Sequence, residues 1–566
     1  MTATAAAQDL ALQRLDHWAT TAPGRVAFTQ PMGGGVVRDY TWGEVMDQSR
    51  RMAAYLRAQG IQPGDRVALL SKNTAHWIMS DFAIWMVGGV SVPLYPTLAP
   101  ATITQILEHS GSKLLFVGKL DGWEHMKPGV PSSVACVSHP LSPEDAKASY
   151  PRWDDIVAST APLADLAAIQ ADDLSTIMYT SGTTGMPKGV MHTFGNFALA
   201  VQFARKRVPI AEDGRMLSYL PLSHVVERAL VEHGQLATGM RVFFAESLDT
   251  FTADLQRARP TVFFSVPRLW LKFQQGVQAK MPPAKMDRLL KIPILGGIVR
   301  RKVLSALGLD QCLFAAGGAA PMPVELLKFF SKLGLRVAEG YGMTENVAAT
   351  HISTGDPAQF GTVGTPYEQV QCRIDPVSHE IQIRAPWMMK GYYREPEQTA
   401  ATFTADGWQK TGDRGAVDGQ GRLRITGRVK DLFKTSKGKY VAPAPIEDRL
   451  VMHPTIEACC VSGANLGQPL ALAMLNADAV NQARTPQGRT ELEASLTQHL
   501  LAVNATLDPH EQLDCIVLMT EPWTVDNDLI TPTFKVKRNR IEDLFAKNYE
   551  HWVGLRRPVV WFSTPG

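Results

Sequence analysis

Cysteine is scarce in this chain, and its few cysteines form no recognisable pattern. Six occur among 566 residues, with no Cys-x-x-Cys pair and no zinc-ligand spacing: Cys136, Cys312, Cys372, Cys459, Cys460 and Cys515. This absence argues against a disulfide framework and against a structural zinc site. The sequence therefore predicts a reducing compartment, by default the cytoplasm.

Long apolar runs and a strong charge of one sign are also missing. The most apolar stretch, from Phe82 to Leu94, is shorter than the roughly 20 residues that a membrane-spanning helix needs. The N-terminus lacks a charged region followed by an apolar one, so no signal peptide is predicted. A net charge of +3 is too small to indicate a nucleic-acid partner. The expected protein is soluble or peripheral, at the inner face of a membrane.

The length and the pattern of elements predict two domains of different class. Strand-like residues 66–70, 90–94 and 114–117 alternate with helical stretches that end near Val87 and His109, as in a βαβ fold. Glycine and charge cluster between Gly419 and Lys439, where we place a domain boundary at Lys430. We expect a large α/β domain over residues 1–430 and a small α+β domain over 431–566.

One segment is unusually rich in groups that bind phosphate. Between Tyr179 and Gly189 the chain places hydroxyls, glycines and a lysine in one short run: Thr180, Ser181, Gly182, Thr183, Thr184, Gly185 and Lys188. Hydroxyls and backbone N–H groups donate to anionic oxygens, glycines allow close approach, and lysine adds a positive charge. The segment is not an ordinary P-loop, because Gly189 follows Lys188 where that motif has Ser or Thr. We predict a phosphate-binding loop.

This loop resembles the signature of the adenylate-forming superfamily, which includes acyl-CoA synthetases, luciferases and nonribosomal adenylation domains. Four further motifs follow in the family's order: Tyr-Gly-Met-Thr-Glu at 341–345, Thr-Gly-Asp at 411–413, Gly-Arg-Val-Lys-Asp at 427–431, and Lys535 within 531–538. The resemblance covers nearly the whole chain. It implies that ATP activates a carboxylic acid as acyl-AMP, and that the small domain is a mobile lid.

The resemblance also assigns nucleotide-binding roles. Glu345 would hold Mg²⁺ and Thr344 would contact the α-phosphate, since a hard cation prefers carboxylate oxygen. Tyr341 would stack on adenine. Asp413 would accept both ribose hydroxyls, and Arg428 would add a donor. A thin wall beside the base would be formed by Gly318, Ala319 and Ala320, with Gly342 next to the stacking tyrosine.

Three further roles fall in the last quarter of the chain. Lys535 would bridge the carboxylate and the α-phosphate, with Lys537, Arg538 and Arg540 as alternatives. Lys430 occupies the hinge position of a lid that must turn away before coenzyme A enters. Lys437 and Gly438 would then face coenzyme A, although the same segment could be a simple basic turn.

The acid is indicated by motifs at residues 220–228, 266–270 and 434–447, which resemble those of long-chain fatty acyl-CoA synthetases. His224 would line the carboxylate end of the acyl tunnel. The pair Gly427-Arg428 is typical of bacterial members. The predicted function is a fatty acid:CoA ligase that uses ATP, Mg²⁺ and coenzyme A. The alternatives are a ligase for an aryl or steroid side-chain acid, or an acyl-AMP ligase that loads a carrier protein.

A basic stretch lies outside these motifs. Residues 272–302 contain eight cations and one acid, Asp287, interleaved with apolar residues. Contact with anionic lipid is one interpretation, and solvated helix faces are the other. Oligomeric state is open, with a homodimer as one alternative, and no nucleic-acid partner is expected.

Overall fold

The chain folds into two compact units. The structure is a computed structural model that describes residues 9–180, 187–531 and 535–562. The first unit takes residues 1–320, 327–372 and 383–409, and the second takes 321–326, 373–382 and 410–566. The domain boundary at Lys430 stays a prediction, whereas the mixed α/β architecture with one large and one small unit matches the expected fold class.

A seven-stranded sheet lies at the centre of the first unit. Its strands, in spatial order, are β18 (Gly391–Tyr392), β8 (Lys188–Thr193), β7 (Leu174–Thr180), β4 (Val90–Leu94), β3 (Arg66–Leu70), β5 (Ser112–Val117) and β6 (Ala135–Ser138). The β7, β4, β3, β5 and β6 strands are parallel, so the predicted βαβ alternation is confirmed. Strands β8 and β18 extend the sheet by antiparallel pairing.

Two smaller sheets complete the strands of this unit. One has the order β2 (Val36–Thr41), β1 (Val26–Gly33), β10 (Arg241–Phe244) and β9 (Arg215–Ser218). The other has the order β11 (Val262–Ser265), β12 (Phe314–Gly317), β13 (Val337–Tyr341), β14 (His351–Ile352) and β15 (Thr365–Pro366). Because β11, β12 and β13 are parallel, their carboxyl ends meet at one edge, where ligands bind in open α/β sheets.

Helices cover these sheets. They are α1 (Ala11–Thr21), α2 (Trp42–Ala58), α3 (Ala75–Met86), α4 (Pro100–Ser110), α5 (Trp123–Met126), α6 (Glu144–Ser149), α7 (Trp153–Ser159), α8 (Phe194–Ala204), α9 (Val225–Glu227), α10 (Gly234–Thr238), α11 (Phe251–Ala258), α12 (Pro267–Lys280), α13 (Pro283–Leu290), α14 (Leu295–Ala306), α15 (Val324–Lys332) and α16 (Pro396–Thr402). Helix α3 is buried along its whole length, and the Thr74 side chain caps it by accepting from Trp77 N. Most of its residues are apolar, and a helix that is apolar nearly all round packs inside a core.

The second unit is built on two sheets and a hairpin. The sheets are β16 (Gln371–Ile374), β17 (Glu380–Arg384), β19 (Gln409–Val417) and β20 (Leu423–Arg428), and β23 (Ile456–Ser462), β24 (Leu470–Leu475), β25 (Ile516–Met519) and β26 (Val559–Phe562). The hairpin pairs β21 (Phe433–Lys434) with β22 (Tyr440–Val441). Its helices are α17 (Pro443–Leu450), α18 (Ala477–Gln482), α19 (Pro486–Asn504), α20 (Arg538–Phe545) and α21 (Tyr549–Gly554).

Two global features bear on the sequence expectations. All six cysteines are free thiols. Within residues 9–180, 187–531 and 535–562, no helix combines the length and the apolar character that crossing a bilayer requires.

Candidate active site

The predicted phosphate loop connects two paired strands. Thr180 at the end of β7 and Lys188 at the start of β8 are direct partners in the antiparallel ladder. Both residues are half-buried. The remaining loop residues of the prediction lie outside the described residues: Ser181, Gly182, Thr183, Thr184 and Gly185. The pairing fixes where the loop leaves and re-enters the sheet.

A tyrosine that the sequence analysis missed connects the loop lysine to the predicted metal ligand. The Tyr392 hydroxyl donates to Oε1 of Glu345 at 2.7 Å. The Lys188 ammonium lies over the same ring, 5.1 Å from its centroid. Burial and the neighbouring carboxylate raise the pKa of Tyr392, so this hydroxyl is a donor at neutral pH. The Glu345 carboxylate and the Lys188 ammonium thus contact the same side chain, the first through the hydroxyl and the second over the ring.

A buried histidine fixes the backbone of the same motif. His192 on β8 is fully buried, and its Nδ1 accepts from Asn196 Nδ2 at 3.1 Å. Its Nε2 therefore carries the proton and donates to the Thr344 carbonyl at 2.6 Å. Burial lowers the pKa of His192 to about 4, so the ring is neutral. His192 and Asn196 were also missed, because no local pattern distinguishes them from core residues.

The predicted adenine pocket falls at the carboxyl edge of β12 and β13. Gly318 follows β12, and a Cβ there would lie 2.9 Å from the Gly340 carbonyl, so only glycine fits between the strands. Ala319 has a left-handed backbone with φ 66°. Tyr341 ends β13 with its ring 6.1 Å from His351, and it is 8% exposed. At Gly342 a Cβ would meet the Ala348 backbone at 2.4 Å.

The loop that carries His224 is held by a buried polar network. Asn73 Nδ2 donates to Ser218 Oγ at 2.8 Å, and Asn73 Oδ1 accepts from Leu222 N at 3.0 Å. Glu227 Oε1 accepts from Ser218 Oγ at 2.8 Å. Burial raises the pKa of Glu227 to about 8. His224 itself is half-buried and caps α9, with Nδ1 accepting from Val226 N at 3.3 Å.

Two residues shortly after His224, Arg228 and Glu232, form a fully buried ionic cluster with Asp81. Arg228 contacts Asp81, and its Nε lies 3.3 Å from Glu232 Oε2. None of the three side chains is exposed to solvent. Burial raises the pKa of Asp81 and raises that of Glu232 well above its usual range, and the Arg228 guanidinium contacts both acids. This cluster anchors the π-helical turn Arg228–His233 in the core.

A cavity of about 500 Å³ opens beside this turn. Helix α8, the turn and α10 supply one part of its lining: Phe197, Ala198, Val201, His233, Leu236 and Ala237. Polar and charged side chains also line the cavity: Asp9, Arg14, Gln202, Arg205 and Lys206. Its volume lies within the range of about 300–1,000 Å³ that is typical of small-molecule sites. In the chain, α8 follows strand β8 of the phosphate hairpin, and the turn and α10 follow the His224 loop.

In the second unit, the two residues predicted to contact ribose form a pair. Asp413 on β19 lies opposite Arg428 on β20. Arg428 Nε donates to Asp413 Oδ1 at 2.9 Å. The Asp413 side chain is 14% exposed and that of Arg428 is 54% exposed, so the carboxylate is the shielded member of the pair. The arginine orients this carboxylate.

The predicted hinge and coenzyme A loop follow directly. Lys430 is exposed in a turn after β20, between Val429, whose N–H donates to Gly412 O at 2.9 Å, and Asp431. The β21–β22 hairpin presents Lys437 and Gly438 at its exposed tip. Gly438 has φ 75°, and its N–H donates to Thr435 O at 2.9 Å. The tight turn therefore requires glycine for its backbone conformation.

Lys535 is exposed, and its backbone N–H donates to Thr531 Oγ1 at 3.0 Å. The three alternative cations are all ion-paired. Lys537 contacts Asp528, which also takes Arg540 Nε at 2.9 Å. Arg538 is mostly buried, with Nη2 at 2.7 Å from Glu447 Oε1. The buried ion pair of Arg538 is typical of a structural residue, and the catalytic role of Lys535 stays a prediction.

Comparison with known families gives a decisive match. Residues 15–393 match the model of the AMP-binding enzyme, and residues 430–552 match that of the AMP-binding enzyme C-terminal domain. The chain belongs to the AMP-binding enzyme family. The family recognised from the motifs is thereby confirmed, and its acyl-CoA ligases use ATP and coenzyme A as substrates.

Curated relatives match along nearly the whole chain. A long-chain-fatty-acid–CoA ligase of Mycobacterium tuberculosis, FadD15, is 32% identical over 91% of this chain and 92% of its own length. The peroxisomal long chain acyl-CoA synthetase 7 of Arabidopsis thaliana is 28% identical over 93% of this chain and 84% of its own.

Solved structures agree in fold. The adenylation domain of a carboxylic acid reductase from Segniliparus rugosus, in complex with AMP and a carboxylic acid, is 22% identical with a TM-score of 0.79, covering 96% of this chain and 94% of that domain. The Bacillus subtilis O-succinylbenzoate coenzyme A synthetase, in complex with ATP and magnesium, is 24% identical with a TM-score of 0.70, covering 94% and 99%. The predicted α/β architecture is confirmed.

Proposed function

We propose that the protein is an ATP-dependent fatty acid:CoA ligase that forms acyl-CoA, AMP and pyrophosphate through acyl-AMP. The observation that carries the proposal is the match to long-chain-fatty-acid–CoA ligases over about nine-tenths of the chain. The carboxylate oxygen attacks the α-phosphorus and expels pyrophosphate. The thiol sulfur of coenzyme A then attacks the acyl carbon and expels AMP.

Residues of the first unit would neutralise the triphosphate. Lys188 and the loop from Thr180 to Lys188 would bind phosphate oxygens, and Thr344 would donate to the α-phosphate. Among the residues that the structure describes, no cluster of three His, Cys, Asp or Glu residues could form an all-protein metal cage. This fits Mg²⁺, which typically takes one or two carboxylates, water and substrate phosphates. Glu345, oriented by the Tyr392 hydroxyl, would hold the ion, whose role is to offset phosphate charge.

Residues of the second unit would complete adenylation. Asp413, oriented by Arg428, would accept the ribose hydroxyls. Lys535 would stabilise the negative charge that grows as pentavalent phosphorus forms, which is where a fixed cation accelerates the reaction most. The burial of Arg538 and its contact with Glu447 argue against that alternative.

The second half-reaction would require the lid to rotate. We place the domain boundary at Lys430, so that residues 431–566 turn about this exposed position after acyl-AMP forms. The turn that holds Lys437 and Gly438 would then line the path of the pantetheine arm. Gly438 supports this role because it removes a side chain from an exposed hairpin tip.

The acyl chain would use the cavity of the first unit. Its apolar lining residues come mainly from α8, which follows the phosphate hairpin, and from α10, which follows the His224 loop, and charged residues such as Arg205 and Lys206 line the same cavity. His224 would face the carboxylate end. We place the enzyme in the cytoplasm, which the six free thiols support, with peripheral contact to an anionic membrane.

The test is release of AMP from ATP, Mg²⁺ and coenzyme A with a panel of acids that runs from acetate to stearate and includes aryl and steroid acids. We expect equal amounts of AMP and acyl-CoA with medium- or long-chain fatty acids, and no turnover after chelation of Mg²⁺. Glu345→Gln, which keeps size and removes charge, is the matched inactive control. Release of ADP would refute the proposal. Turnover limited to aryl or steroid acids would refute the substrate assignment alone.

A further inference from the structure

Four large apolar side chains are exposed close together at one place in the first unit. They lie in residues 291–298, which we call the isoleucine loop, and their exposed fractions are 43% for Ile292, 85% for Ile294, 37% for Leu295 and 57% for Ile298. Single exposed apolar residues are ordinary, but a group of them indicates an interaction surface. Leu295 and Ile298 share a face of α14, since residues three apart on a helix are neighbours.

The tip of this loop has a strained backbone. Ile294 has φ 64° and ψ −55°, and Leu295 N donates to Pro293 O at 2.7 Å. This is the γ-turn with positive φ, which is rare, and a β-branched residue seldom adopts it. Gly296 helps to hold the turn, because a Cβ there would lie 2.6 Å from Leu290 O at the end of α13. The fold keeps an isoleucine projecting at a position where glycine would be relaxed.

The surroundings of the loop are positively charged. Residues 272–302 carry eight cations and one acid, a net charge of +7 in a chain of net +3, which leaves −4 elsewhere. The single acid, Asp287, is paired with Lys332 Nζ at 2.9 Å. Six cations of α13, the loop and α14 are exposed: Lys285, Arg288, Lys291, Arg300, Arg301 and Lys302.

We propose that the isoleucine loop inserts into the surface of an anionic lipid bilayer while the surrounding cations contact headgroup phosphates. An apolar tip inside a basic ring fits the boundary between headgroups and acyl chains. A nucleic-acid site would use the cations but would give no reason to expose the apolar tip. This inference rests on the proposed function. A ligase for long-chain fatty acids would find its substrate in a bilayer, because these acids accumulate there.

Sedimentation of the purified full-length chain with vesicles tests this inference. We expect binding to vesicles of phosphatidylcholine and phosphatidylglycerol, weaker binding to pure phosphatidylcholine, and weakening by salt. Ile294→Asp combined with Ile298→Asp should reduce binding to the anionic vesicles by about tenfold or more. The matched control is Leu248→Asp, at an equally exposed leucine (93%) outside the basic segment, which should bind like wild type.

A second variant separates charge from apolar insertion. Replacing Lys291, Arg301 and Lys302 with glutamine should remove the preference for anionic lipid. Adenylation of a detergent-dispersed acid should stay unchanged in all of these variants, so a failed ligase assay and a failed vesicle assay remain distinguishable. The inference is overturned if wild type ignores anionic vesicles, if the isoleucine variant binds them normally, or if single-stranded nucleic acid binds more tightly regardless of Ile294.

Discussion

Tyr392→Phe removes one hydroxyl, which donates to the predicted magnesium ligand Glu345. The substitution removes the 2.7 Å hydrogen bond to Glu345 Oε1 and keeps the ring on which the Lys188 ammonium lies at 5.1 Å. A hydrogen bond to a charged group contributes about 1.5–3 kcal/mol. Because Glu345 is half-buried and water can replace part of this contact, we take the lower figure. The kcat/KM of adenylation should then fall about tenfold.

The assay is exchange of pyrophosphate into ATP, measured over a series of Mg²⁺ concentrations. A carboxylate that has lost its orienting donor should bind the ion more weakly, so the variant should need more Mg²⁺ for half-maximal rate. The matched control is Tyr393→Phe, at the neighbouring tyrosine, whose ring packs against His109 at 5.8 Å. Its Mg²⁺ dependence should equal that of wild type.

A structural role for Tyr392 would give a different result. If Tyr392→Phe lowers the melting temperature and the rate but leaves the Mg²⁺ dependence unchanged, the tyrosine supports the fold and does not position Glu345. If neither the rate nor the Mg²⁺ dependence changes, the hydrogen bond between Tyr392 and Glu345 is irrelevant to catalysis. Either outcome would refute the argument that Lys188, Tyr392 and Glu345 act as one unit.

Two further predictions concern Lys535 and His192. Lys535→Ala should lower the rate of adenylation by about 10²-fold, while thioester formation from supplied acyl-AMP survives. Lys537→Ala is the control. If Lys535→Ala lowers both half-reactions equally, Lys535 has a structural role. Burial lowers the pKa of His192 from 6.5 to about 4, so the unfolded chain takes up this proton first and stability falls as pH drops from 6.5 to about 4. Urea titrations across that range measure the free energy of unfolding. In His192→Gln this free energy should depend less steeply on pH, by up to about 1.4 kcal/mol per pH unit. An unchanged slope would contradict a lowered pKa for His192.

Local sequence signals were enough for the regular elements of the core. The predicted strands 66–70 and 90–94 match β3 and β4, because buried parallel strands are continuous apolar runs between turn residues. Helix ends depend on single residues. Helix α19 begins at Pro486, where Thr485 caps it by accepting from Gly488 N. The capping residue and the proline were both visible in the sequence.

Motifs predicted which residues would occupy the candidate site, but not what holds them. Glu345 was recognisable from its neighbours, whereas Tyr392 reaches it across 47 positions through a two-residue strand. The same is true of Arg538, which the sequence left as an alternative to Lys535. Its pairing with Glu447 depends on how α17 and α20 pack, and a single sequence carries no signal for that contact.

The hinge gives the prediction with the sharpest outcome, because a hinge residue should affect one half-reaction while it contacts neither substrate. Lys430 is exposed, and proline there would fix φ near −65° and remove one backbone donor. If the adenylating conformation tolerates that φ, Lys430→Pro should keep pyrophosphate exchange and lose formation of acyl-CoA, because the lid can no longer turn. Lys430→Ala keeps backbone freedom and should retain both activities. A folded proline variant that keeps both activities, or loses both, would place the hinge elsewhere between Gly427 and Lys439.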